Sequence, residues 1–78
     1  MIISVTSKRF ETITLEIEST DTLENVNKKL GNVIGIDSEQ LHLAYNSHIL
    51  DEWIGWKKEL PITGYGVKDN SILHLYIY

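Results

Sequence analysis

Between Thr12 and Gly35 the hydrophobic period of this chain changes from two to about 3.6. "TITLEIE" alternates, with Ile13, Leu15 and Ile17 on one side and Thr12, Thr14, Glu16 and Glu18 on the other. Such alternation makes a strand with one buried and one wetted face. In "STDTLENVNKKLGNVIG" apolar residues then recur at Leu23, Val26, Leu30 and Val33 or Ile34, the spacing of an amphipathic helix. Thr22, or Asp21 before it, can accept from an orphan amide of the first turn. Glu24 suits the positive end of the helix dipole, and Lys28 and Lys29 lie toward the negative end. Gly35 is placed to end the helix in a left-handed conformation. Gly31 costs about 1 kcal/mol relative to alanine and predicts a loose final turn. One helix over about 23–34 can cover only one face of whatever sheet the rest of the chain forms.

The rest reads as strands. "MIISVT" sets Met1, Ile3 and Val5 against Ile2, Ser4 and Thr6, and a short polar connection joins it to the second run as a hairpin. After a polar turn at "IDSEQ", "LHLAY" sets Leu41, Leu43 and Tyr45 against His42 and Ala44. "NS" is a tight turn and "HIL" a short strand beyond it. "SILHLYIY" closes the chain, with Leu73, Leu75 and Ile77 opposed to Ile72, His74, Tyr76 and Tyr78. The order β-β-α-β-β-β in 78 residues predicts one α+β domain, a mixed sheet of four to five strands wrapped on one helix. The first and last strands are expected to pair in parallel at its centre.

Charge and residue usage narrow the function classes. Eleven acidic residues against seven basic ones give a net charge of −4, which disfavours general nucleic-acid binding and a polybasic membrane anchor. There is no cysteine, so thiol catalysis and thiolate metal sites are excluded. No apolar run is long enough to span a bilayer and the N-terminus does not read as a signal peptide, so cytoplasm or nucleus is expected.

"TITLEIESTDTLENVNKKL", followed by "GI" and "EQLHLAY", closely resembles the ubiquitin family, and "YGV" and the final "LHL" are similar too. The likeness runs in register from Met1 to about Asp51 and resumes at Ile62, leaving an inserted loop at about 52–61. It implies the β-grasp fold. It also implies what has changed. The family's modifiers end in a diglycine tail, whereas this sequence ends at "LYIY", so it is expected not to be conjugated. Positions matching the family's chain-linking lysines hold Thr6, Glu11, Asn27, Val33, His48 and Asp69, and only Lys29 remains.

The resemblance places a partner-binding site on the outer sheet face, at Lys8, His42, Ala44, His48, His74 and Tyr76. Here the family's aliphatic anchors have become lysine and alanine, so its usual receptors are expected to bind weakly. Ile36 and Ile77 correspond to a second patch. The expected function is a non-conjugated protein-interaction module, binding ubiquitin-like-domain receptors, proteasome components or splicing components as a monomer. Alternatives stay open: a divergent modifier with its conjugatable tail missing from this sequence, or the N-terminal domain of a larger shuttle or adaptor. No nucleophile elbow, phosphate loop or paired carboxylates can be argued, so no enzyme and no cofactor are expected. The histidines read as solvated rather than metal-binding, since no thiolate or carboxylate joins them.

"EWIGWKKEL" holds both tryptophans within the inserted loop. Trp53, Trp56 and Leu60 are spaced to share one side of a short helical turn that Pro61 would end. One indole is expected against the domain's own surface and the other, partly exposed, as a second contact site.

Overall fold

The computed structural model describes residues 1–50 and 61–77. Trp53, Trp56, Leu60 and Tyr78 therefore lie outside the described residues. The elements are β1 (Ile2–Thr6), β2 (Ile13–Glu16), α1 (Leu23–Ile34), β3 (Leu41–Tyr45), β4 (His48–Ile49) and β5 (Ile72–Ile77), with 3₁₀ turns at Ser38–Gln40 and Ile62–Tyr65. They form one five-stranded sheet in the order β2-β1-β5-β3-β4. β1 and β5 run parallel at its centre, and the β1–β2, β3–β5 and β3–β4 pairs are antiparallel. This is the β-grasp arrangement that the alternation implies.

The core is where the two periods meet. Leu23, Val26 and Leu30 of α1 are fully buried against Ile3, Val5, Leu43 and Leu73 of the sheet. Each such side chain contributes about 1.5–3 kcal/mol on burial. Ile34 packs against this cluster, while Val33 stays 61% exposed. Leu50, just before the inserted loop, and Ile62, Tyr65 and Val67, after it, complete the cluster. Pro61 is paired with Thr22 in an isolated bridge, and the Ile62 amide donates to the Asp21 carbonyl at 2.7 Å. Asn46 and Ser47 both have positive φ (52° and 68°), as a two-residue hairpin turn matched to strand twist requires.

Both ends of α1 are capped. Thr22 Oγ1 accepts from the Asn25 amide at 3.2 Å, and Gly35 sits at φ 76° with its amide donating to the Gly31 carbonyl. Two details depart from the sequence reading. Gly31 is buried, and its final turn is tied down rather than loose, because its carbonyl also accepts from Ile36. The last turn holds no basic residue; Lys29 turns instead to Asp21, its amine 2.6 Å from Oδ2.

That pair carries a pH prediction. The Lys29 amine, and then the Glu18 amide at 2.9 Å, hold the Asp21 carboxyl below its ordinary range. A depressed carboxylate stabilises the fold above its unfolded pKa, and that contribution disappears as pH falls through the folded value. Lys29 is 42% exposed, so screening keeps the effect modest. Lys29→Met is expected to lower unfolding free energy by about 0.5–1 kcal/mol at neutral pH. The difference from wild type should hold above the ordinary carboxylate range and disappear as pH falls through the lower folded value. Urea denaturation at several pH values measures it; a gap constant through the acid limb would remove Asp21 from the account.

Candidate interaction surface

The sheet's outer face is what α1 leaves open, and its residues follow from strand register. Thr6 of β1 pairs with His74 of β5, His74 with Ala44 of β3, and Ala44 with Ile49 of β4. One row of side chains thus crosses four strands. In the adjoining row His42 stands opposite Tyr76, which sets the two imidazoles on a diagonal. Lys8 lies in the loop that leaves β1. Together Thr6, Ser7, Lys8, His74, Leu75 and Tyr76 line an open crevice of about 260 Å³.

The expected residues are not equally available. Lys8 and His74 are exposed and Tyr76 is 46% exposed. His42 is half-buried. Ala44 lies in the middle of the row but is only 5% exposed, so it shapes the floor more than it offers contact. His48 pairs with Tyr45 and so takes the opposite side of the hairpin from Ala44. Ile36 and Ile77 pack against the core cluster, Ile77 opposite Leu41, and do not join the outer face.

Two features were missed. Ile49 belongs to the row, and the two-residue turn at Asn46–Ser47 was signal enough to place it, because that turn fixes Ala44 opposite Ile49. Thr6 stands where the resemblance implies a replaced lysine, and its Oγ1 lies 2.9 Å from His74 Nδ1 and fixes the ring. Farther along the same face, Ile2 (43%) and Ile72 (58%) expose apolar surface.

The helix over one face of a mixed sheet, with this strand order, agrees with one further observation: the model of the ubiquitin family matches residues 2–78. The chain belongs to the ubiquitin family. Ubiquitin-like domains are generally non-enzymatic. Among the described residues, no three His, Cys, Asp or Glu side chains converge as metal ligands would.

Proposed function

We propose that this ubiquitin-like domain is a non-conjugated interaction module, which holds partner proteins by noncovalent contact through the outer face of its sheet. The observation that supports the reading most is the row Thr6–His74–Ala44–Ile49, with Tyr76 exposed beside it and the crevice under Lys8 next to it. An exposed tyrosine over a flat sheet gives contact area at small entropic cost, as protein interfaces favour. Proteasome or splicing components, in cytoplasm or nucleus, are the partner classes this reading suggests, with the domain free-standing or part of a larger shuttle or adaptor.

Because Ala44 is buried, a charge there would disturb the sheet itself, and Tyr76 is the better probe. Protein recovered from native extract by wild type and by Val33→Ser, on the helix's outer side, should be lost with Tyr76→Ala. Equal recovery by all three would place the interface elsewhere. A thioester formed on this chain with activating enzyme and ATP would replace the noncovalent reading with a conjugated one.

A further inference from the structure

We infer that the crevice between the β1–β2 loop and β5 is the specificity pocket of this face, and that it takes the carboxylate side chain of an acidic partner segment. The inference rests on the reading of the face as a protein-binding surface and adds the chemistry of what is bound.

The lining carries it. Thr6 and Ser7 bring hydroxyls, Lys8 an ammonium, His74 an imidazole and Tyr76 a phenol. Ser7, Lys8, His74 and Tyr76 can donate hydrogen bonds into it, the Thr6 hydroxyl being committed to His74 or the Leu73 carbonyl, and none of the lining residues is a carboxylate. On a chain with net charge −4, a crevice furnished in this way is a local reversal of sign. Arg9 follows Lys8 in the same loop and is exposed. Ser7 Oγ shapes that loop, accepting from the Arg9 amide at 2.9 Å and the Phe10 amide at 3.3 Å, while the Arg9 guanidinium lies 5.9 Å from the Phe10 ring centre. Lys8 is thereby kept beside the crevice by local backbone bonds.

The Thr6–His74 contact prepares the imidazole for an anion. When the Thr6 hydroxyl donates to Nδ1, the neutral ring carries its proton on Nε2. When the ring is an imidazolium, Nδ1 donates to Oγ1 and the hydroxyl turns to the Leu73 carbonyl, 3.4 Å away. In these two arrangements Nε2–H is a donor directed away from Thr6, and an approaching carboxylate favours them over the neutral ring protonated on Nδ1, whose Nε2 only accepts. An ammonium and an N–H donor beside hydroxyls match a carboxylate, and charge-assisted bonds of this kind are about twice as strong as neutral ones. Tyr76, at the crevice edge, supplies apolar area for the residue next to the acid.

The test uses the whole chain, isotopically labelled, titrated with three short synthetic peptides and followed by amide chemical shifts. One alternates glutamate with leucine; in the second, glutamine replaces every glutamate; in the third, phosphoserine does. The glutamate peptide should shift Thr6, Lys8, His74 and Tyr76, bind about tenfold tighter than the glutamine peptide, and weaken as salt is raised. Lys8→Glu, an exposed substitution, should remove that preference while leaving the rest of the spectrum in place. Glutamate and glutamine peptides binding this face equally would overturn the pocket's chemistry and leave the face intact. Tighter binding of the phosphoserine peptide would overturn the commitment to a carboxylate. Shifts confined to other surfaces would overturn both the pocket and the face.

Discussion

Asn27→Leu is expected to raise the free energy of unfolding by about 1–3 kcal/mol. Asn27 is on the buried side of α1, between Val26 and Leu30, and only 2% exposed. Among the described residues, neither its amide nitrogen nor its oxygen has a hydrogen-bond partner. Burying an amide without a bond forfeits its hydration and receives nothing in return. Leucine keeps the branch at the γ carbon, removes both orphaned atoms and is the better helix former by several tenths of a kcal/mol. Its slightly greater bulk opposes the gain, so the lower half of the range is the expected region. Urea denaturation reads this as a shift in midpoint with an unchanged slope. A loss of stability would show that the amide is satisfied in solution and that the polar group is structural. Asn27→Asp sharpens the comparison: an unpaired buried charge there should cost more than the asparagine does.

Asn27 also shows where the sequence stopped being legible. The order of elements, the helix bounds Leu23–Ile34 and which strand residues face the core all follow from hydrophobic period, because a strand's faces and a helix's stripe are fixed by spacing. Polar residues carry no such signal about depth. Asn27, counted among the replaced lysines as though it were surface, falls four residues after Leu23 and four before Gly31, inside the buried stripe. Ala44 failed in the opposite sense. Alternation puts it on the outer face, which is where it lies, but its small side chain sits between His74 and Ile49 and keeps little exposure. Face and accessibility are separate quantities, and spacing reports only the first.

The site reading divides along the same line. His74 and Tyr76 were placed by alternation on a six-residue strand whose register is fixed by partners on both sides. The resemblance puts His48 on the same face, and the hairpin turn sets it on the other side. Ile36 and Ile77 were carried over from the family's second patch, and burial against the core takes up much of the surface such a patch would need.

Gly31→Ala should lower stability by up to about 2 kcal/mol, although alanine is the better helix former. In an open helix interior the substitution gains about 1 kcal/mol. Here a Cβ at position 31 would stand 2.6 Å from the Ile36 carbonyl oxygen, with the Ser38 amide nitrogen at 3.5 Å and Leu41 Cδ1 at 3.7 Å. The nearest atom is backbone, and that backbone is held. The Ile36 amide donates to the Gly31 carbonyl at 3.2 Å, Gly35 before it is committed to φ 76°, and Asp37 caps the 3₁₀ turn that follows. Relief therefore requires the chain from Ile36 to Ser38 to move away from α1, loosening the bonds that end the helix. Overpacking of this kind costs about 1–3 kcal/mol and outweighs the propensity gain. Gly35 separates the two ways in which a glycine can be required. A Cβ there meets nothing within 4 Å, so its cost is left-handed strain alone. Gly35→Asn should accordingly recover most of the stability that Gly35→Ala loses, since asparagine tolerates that conformation. At position 31 no side chain can do the same, and every replacement should be at least as damaging as alanine. Thermal unfolding of the three variants decides it; a rise in Tm for Gly31→Ala would mean that the Ile36–Ser38 segment yields at little cost.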